Sequence, residues 1–404
     1  MDPYQGEIVK IIIAHFGTYY VNMAGGVEKV TCNLANALVE RGHEVTILYR
    51  DEKEGQPYFY LDSRVKQQNI LYENGVKVVS EKLPLPLRII REIVRPFKQS
   101  AAQAINAEFK GKQYGPRIKK YLDTHPADVI LSCSIPSAKY VIEDAGCTLP
   151  VVEMIHSHPK VQFPDLSEAE KRATEKCKVM QILLPSGLEL ARQYFPHLPI
   201  VVIGNAVAPA KKLAHPGDEK DHHKLICVGN ISGTKQQLVL AEAFAKLIAE
   251  FPDWTLEFWG AEDTSYAEHM RKWIEKNHLS DVIHMNGKTN HVEDVYEDAD
   301  IFCLLSRGEG FPLALSEAMA AGLPAVGFSD CTGVSDLIED EKTGFLVLRS
   351  VKGLAEALRE LMAHPVLRKE MGDAGRQAMK QYMPEHIWDQ WETVLEKAVK
   401  GEYK

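Results

Sequence analysis

The chain has 404 residues, 45% of them hydrophobic and 25% charged, with a net charge of −9. That length exceeds one ordinary hydrophobic core and predicts two domains, the composition is that of a soluble globular protein, and the acidic balance argues against a general nucleic-acid coat while leaving room for local basic patches. No apolar run is long enough to span a bilayer, and the opening Met-Asp-Pro-Tyr-Gln-Gly-Glu lacks the basic and apolar regions of a signal peptide.

In chain order, the first sixty residues predict a β-α-β unit. Ile8 to Ala14 is an apolar strand, Gly25-Gly26 lies in a loop, Val27 to Arg41 is a helix and Glu44 to Tyr49 is a second strand. Val30, Leu34 and Leu38 recur every four residues on one helix face, and Gly42 suits the stop. Further strands are expected at Val76 to Val79, Val129 to Cys133, Val151 to Ile155, Gln181 to Leu184 and Ile200 to Ile203. Ala206 to His223, without periodicity, reads as a linker.

A second alternating series follows, with strands at Leu225 to Gly229, Trp254 to Trp259, Val282 to Met285, Ile301 to Leu305, Ala325 to Phe328 and Phe345 to Leu348. Helices are expected around Gln236 to Glu250, Tyr266 to Asn277, from Leu313 and from about Glu385. Near-continuous apolar strands between helices predict parallel sheets covered on both faces. The expected architecture is α/β, with two doubly wound, Rossmann-like domains facing an interdomain cleft. The boundaries are 1–205, a linker over 206–223, a second domain over 224–384 and a terminal helix over 385–404.

The most informative segment runs from Ser306 to Pro324, where Glu309 and Glu317 are separated by seven residues around a glycine-rich turn and a helix start at Pro312. Unpaired N–H groups and the helix dipole make such a turn an anion site, and Glu317 lies roughly 7 Å further along the helix axis. Two carboxylates bracketing an anion site suit a nucleotide sugar. An ordinary strand-turn-helix with solvated glutamates is the bland alternative.

With Gly-Phe-Pro after the first Glu and Ala-Met-Ala-x-Gly-x-Pro after the second, the segment resembles the Glu-x7-Glu signature of retaining GT-B glycosyltransferases, most closely glycosyltransferase family 4. The resemblance implies a nucleoside diphosphate sugar as co-substrate, no metal and no other cofactor. Glu309 with the backbone of Gly310, Phe311, Pro312 and Leu313 would hold the sugar, and Glu317 the ribose diol. Gly25 and Gly26 would contact the diphosphate or shape the acceptor side. Lys235, in Val228-Gly229-Asn230-Ile231-Ser232-Gly233-Thr234-Lys235-Gln236, would neutralise phosphate. The family usually has Val-Gly-Arg-x4-Lys-Gly here, so Asn230 replaces an arginine and Gln236 a glycine, and Arg307 is a possible substitute cation. Gly287, Lys288 and Thr289 are expected to meet the base through backbone atoms. In His156-Ser157-His158, His156 resembles the family's histidine facing the sugar or acceptor. Glu309, His156 and Lys235 are therefore the catalytic candidates. Gly327 to Ile338 looks like bacterial surface-polysaccharide members that use UDP-sugars.

Asp298-Ala299-Asp300 resembles a metal motif of another glycosyltransferase fold, but reads better as a helix-to-strand junction. Seven scattered cysteines (Cys32, Cys133, Cys147, Cys177, Cys227, Cys303 and Cys331) without Cys-x-x-Cys read as reduced core thiols of a cytoplasmic protein. Arg88, Arg91, Arg95, Lys98, Lys110, Lys112, Arg117, Lys119 and Lys120, interleaved with Leu87, Ile89, Ile90, Ile93, Val94 and Phe97, fit either a solvated helix face or peripheral contact with the inner face of an anionic membrane. The expected activity moves a hexose or N-acetylhexosamine, with galactose, glucose or N-acetylglucosamine foremost, from a UDP-sugar to a saccharide or glycolipid hydroxyl. A UDP-sugar epimerase on the same fold and a non-catalytic nucleotide-sugar-binding protein are the rivals.

Overall fold

The computed structural model describes residues 7–97 and 99–403. They form two compact units, one comprising the chain up to Gly204 together with the chain from Ile387 onward, the other Asn205–His386.

In the first unit, β1 (Lys10–His15), β2 (Glu44–Tyr49), β3 (Lys66–Asn69), β6 (Val129–Ser132), β7 (Val151–Met154), β8 (Val179–Ile182) and β9 (Ile200–Val202) form a parallel sheet in the order β3-β2-β1-β6-β7-β8-β9. Side chains of β6, β7 and β8 are buried throughout, as expected of strands covered on both faces. β3, of sequence Lys-Gln-Gln-Asn, lacks any apolar signal and is fixed instead by its pairing with β2. The expected strand at Val76 to Val79 is not part of this sheet. Asn74 and Gly75 take φ of +51° and +74°, so the chain turns and β4 (Tyr72–Glu73) pairs antiparallel with β5 (Val76–Lys77).

The second unit carries β10 (His223–Val228), β11 (Trp254–Trp259), β12 (Ile283–Met285), β13 (Ile301–Leu304), β14 (Ala325–Phe328) and β15 (Gly344–Val347), all parallel in the order β12-β11-β10-β13-β14-β15. Strand order reverses between β10 and β13, and the carboxyl ends of two such strands are where ligand crevices form in doubly wound sheets. Residues 206–223 are held to this unit: Ala214 N donates to Ala321 O (2.8 Å), and buried Arg368 donates from Nε to Pro216 O (2.6 Å).

The helix Pro384–Lys400 buries Ile387, Trp391, Val394, Leu395 and Ala398. Its Asp389 and Glu392 accept from Arg41 at 2.6 and 3.3 Å, which ties it to the end of the helix Gly26–Glu40 within the first unit. All seven cysteines are free thiols, and only Cys147 is not fully buried. Among the described residues no helix is long and apolar enough to cross a membrane.

Candidate active site

Lys235 and Glu309 sit on the two loops at the strand-order reversal, after β10 and after β13. They form an ion pair through Nζ and Oε1. Ser306 Oγ donates to the same Oε1. The backbone holds these loops together as well, Arg307 N donating to Thr234 O (2.9 Å), and Glu309 N donates to Thr332 O (3.0 Å) in the loop after β14. Gly333 packs directly beneath Glu309, where an added Cβ would lie 2.7 Å from the Glu309 carbonyl oxygen.

The helix begins at Leu313, with Pro312 as its N-cap instead of its first residue, and runs to Ala320. Its first turn follows directly on the turn that carries Glu309, and the unpaired N–H groups of a helix start favour an anion there. Phe311 is buried edge-on against Tyr382 (5.0 Å), so only its backbone is offered to the crevice. Further along the helix, Glu317 Oε2 accepts from Tyr296 OH at 3.3 Å. Burial and the neighbouring Glu317 carboxylate push the Tyr296 phenol well up, so it stays a donor.

Asn230 is exposed, and its Oδ1 accepts from Ala261 N (3.3 Å); it braces the loop after β11 and brings no cation. Gln236 takes φ +56°, the left-handed conformation for which glycine is the usual residue, directly before the helix Gln237–Phe244. Arg349 donates to Gln236 Oε1. It also makes a two-point pair with Asp330 (2.8 and 3.0 Å) and lies 4.5 Å over the Phe328 ring. One guanidinium thus links the Lys235 loop to the loop containing Gly333. Gly287 O accepts from Gly260 N (2.7 Å), Lys288 is exposed, and Thr289 Oγ1 accepts from His291 N. Gly260 itself packs so closely on Gly229 that a Cβ would lie 2.2 Å from its carbonyl oxygen. Asp298 and Asp300 lie between the helix Val292–Glu297 and β13, where buried Asp300 accepts from Lys224 N at 2.9 Å.

The first unit gathers a second set of groups. Gly25 is the N-cap of the helix Gly26–Glu40, and the side chain of Glu28 folds back over it so closely that a Gly25 Cβ would meet Glu28 Oε2 at 2.1 Å. Buried Glu28 accepts from Thr18 Oγ1 (2.6 Å) and lies 3.4 Å from His15 Nε2. Burial alone would raise its pKa; the hydrogen bonds from His15 and Thr18 outweigh it and hold the carboxyl below its ordinary value. The positive end of this helix is therefore already matched by a carboxylate of the protein, which disfavours a second anion at Gly25 and Gly26. His158 is structural: its ring accepts from Lys160 N (3.1 Å) and contacts Ser186 Oγ (3.3 Å). His156 Nε2 is buried without a hydrogen-bond partner among the described residues. Burial, with a lesser contribution from His15, lowers its pKa to about 4, so the ring is neutral at neutral pH.

Ser306, Glu28 with His15 and Thr18, Tyr296 and Arg349 were not among the residues expected from the sequence. Ser306 and Glu28 had a local signal, lying three residues from Glu309 and from Gly25. Arg349 had none.

Residues 24–211 match the family model described as Glycosyltransferase Family 4, and residues 209–378 match the one described as Glycosyl transferases group 1. The chain is a GT-B glycosyltransferase, family 4-like. Over 383 residues this glycosyltransferase is 24% identical to an uncharacterized glycosyltransferase of Haemophilus influenzae, covering 93% of this chain and 97% of the other. It is 25% identical to the N-acetyl-alpha-D-glucosaminyl L-malate synthase of Bacillus anthracis, over 92% of this chain and 93% of that one. In fold the glycosyltransferase is similar to an S. aureus TarM variant solved with fondaparinux, alpha-GlcNAc-glycerol and UDP, with a TM-score of 0.70, 15% identity and coverage of 96% and 99%.

Proposed function

We propose that this glycosyltransferase is a retaining, metal-independent enzyme that moves a hexose or N-acetylhexosamine from a UDP-sugar to a hydroxyl of a saccharide or glycolipid acceptor. Galactose, glucose and N-acetylglucosamine are the first donor sugars to try. The observation that carries this reading is the Lys235–Glu309 ion pair at the strand-order reversal, one helix start away from Glu317. A cation held by a carboxylate there is a diphosphate site with its counter-charge supplied internally. Donor binding splits the pair: the diphosphate takes Lys235, and the sugar hydroxyls take Glu309 with the backbone of Gly310, Phe311 and Leu313. Glu317 takes the ribose diol, and the backbone of Gly287, Lys288 and Thr289 meets the base.

In the transfer step the bond from the anomeric carbon to the phosphate oxygen breaks as the acceptor oxygen bonds to that carbon from the same face. The acceptor proton passes to the departing phosphate oxygen, and UDP leaves. Charge builds on the diphosphate, where Lys235 and the N–H groups at the start of the helix Leu313–Ala320 stabilise it. His156, neutral and with an unpartnered Nε2, is suited to hydrogen-bond a sugar or acceptor hydroxyl. The buried Glu28 favours an acceptor-side role for Gly25 and Gly26 over a diphosphate contact. The UDP in the TarM complex supports the choice of base.

Titration calorimetry with UDP, beside an assay of UDP release, tests the division of roles. Glu309→Gln should abolish transfer without weakening UDP, because it leaves Lys235 free for the diphosphate. Glu317→Ala should weaken UDP by roughly 10- to 100-fold, the loss of charge-assisted hydrogen bonds worth about 1.5–3 kcal/mol. Equal loss of UDP affinity in both variants contradicts the assignment.

A further inference from the structure

The helix Leu85–Val94 in the first unit buries none of its residues. It starts after Pro84, and its neighbour is the helix Gln99–Thr124, onto which Arg91 donates through Nη1 to Asn106 Oδ1 (3.2 Å). The outward side is apolar. Leu85, Ile89 and Ile93 recur at four-residue spacing, with Ile90 beside them and Phe97 just past the helix end, and they are 68%, 52%, 62%, 48% and 88% exposed in that order. Isolated exposed hydrophobics need no explanation, but five large ones along one line of a short segment mark a contact surface.

The charges beside the stripe say what it contacts. Residues 85–97 hold three arginines (Arg88, Arg91 and Arg95) against one acid, Glu92, which Arg91 and Arg95 share at 2.6 and 3.2 Å, so a surplus of two positive charges remains on the segment. Further along the basic segment the cations are already matched by acids of the first unit. Lys110 lies 3.4 Å from Glu81, Lys112 2.8 Å from Glu108, Arg117 3.5 Å and Lys120 2.5 Å from Glu73, and Lys119 2.9 Å from Asp123. Lys98 lies outside the described residues. The surface expected from sequence over 88–120 therefore narrows to the segment 85–97, where an apolar line and an excess of arginines coincide.

We infer that this segment docks the protein on the surface of an anionic lipid bilayer, with Leu85, Ile89, Ile93 and Phe97 entering the headgroup region and Arg88 and Arg95 at the phosphates. A helix lying in the interface needs an apolar side to bury and cations for the lipid charge, and this segment has both. The inference is independent of the donor reading and goes beyond it. It also restricts the acceptor, because an enzyme held at a membrane surface reaches saccharides carried on lipid.

Vesicle co-sedimentation of the full chain tests it, using phosphatidylcholine vesicles with and without phosphatidylglycerol. The parent protein should pellet with the anionic vesicles, remain in solution with the neutral ones, and be released by salt. Ile89→Ser with Ile93→Ser should abolish pelleting. Arg88→Glu with Arg95→Glu should weaken it by roughly fivefold or more per arginine. All four side chains are exposed, so circular dichroism of both variants should match the parent. Failure of the parent to bind anionic vesicles at low salt overturns the proposal, as does unchanged binding by either variant. A dimer that the Ile89→Ser, Ile93→Ser variant dissociates also overturns it, because a second copy would then occupy the stripe. None of these results bears on transfer from the UDP-sugar, which UDP release measures separately.

Discussion

Replacing Gly333 by alanine separates a backbone effect from a displacement of Glu309. Gly333 adopts φ +82° and ψ −42°, a region costly for any residue with a Cβ. The added atom would also lie 2.7 Å from Glu309 O and 3.0 Å from both its carbonyl carbon and its Cβ, well inside contact distance. The first effect costs roughly 1–2 kcal/mol, and overpacking against backbone adds about 1–3 kcal/mol. Gly322 supplies the control. Its φ is +95°, but a Cβ there meets nothing nearer than Ala214 O at 3.8 Å, so Gly322→Ala carries only the backbone cost. Relief at Gly333 requires the Glu309 segment to move, and a shift on the order of 1 Å costs about 100-fold in rate. Thermal unfolding and steady-state UDP release of both variants, with UDP affinity measured alongside, form the assay. Gly333→Ala should lose more stability than Gly322→Ala and most of its kcat, with UDP affinity nearly kept because Glu317 is on the helix. If Gly333→Ala is no less stable than Gly322→Ala and fully active, the backbone beneath Glu309 does not position it.

Arg349→Met removes the link among Gln236, Asp330 and the Phe328 ring. The pair is largely solvent-facing and worth at most about 1 kcal/mol of stability, so a fall in kcat beyond roughly tenfold, not restored in Arg349→Lys because an ammonium cannot make the two-point and stacked contacts, identifies loop positioning; unchanged kinetics argues against it. His156 tests a protonation effect. Its folded pKa of about 4 lies below its unfolded value near 6.5, so the unfolded chain binds the extra proton between these values, and stability falls as pH drops from about 6.5 toward 4. The loss approaches about 3 kcal/mol, and His156→Asn should flatten the part of the Tm-versus-pH curve in that window; an unaltered slope places the effect elsewhere. Glu317→Gln should keep a partner for the buried Tyr296 hydroxyl and unfold later than Glu317→Ala by about 1–3 kcal/mol; equal stability shows that the hydroxyl has another partner.

The two-sheet architecture was legible because its central strands are continuous apolar runs between helices stopped by glycine. β3 was not, since Lys-Gln-Gln-Asn becomes a strand only by pairing with β2, while its Asn69 holds the backbone at Asp51. Val76 to Val79 carried a strand's composition, but Asn74-Gly75 turned it into a hairpin. The crevice loops could be found because each lies directly after an apolar strand. Their coupling could not be: the ion pair joins residues 74 apart in sequence, and Arg349 reaches Gln236 across 113. The fold of Glu28 over Gly25 was equally hidden, because a carboxylate three residues into a helix is as often solvated as buried.

The central claim is retaining transfer from a UDP-sugar, and the most direct measurement is proton NMR of the reaction with UDP-galactose, UDP-glucose and UDP-N-acetylglucosamine, each with and without a lipid-linked saccharide. The account predicts acceptor-dependent UDP release with one donor and a product whose new linkage keeps the donor's anomeric configuration. An inverted linkage, sugar epimerisation without acceptor, or tight donor binding with no turnover contradicts it.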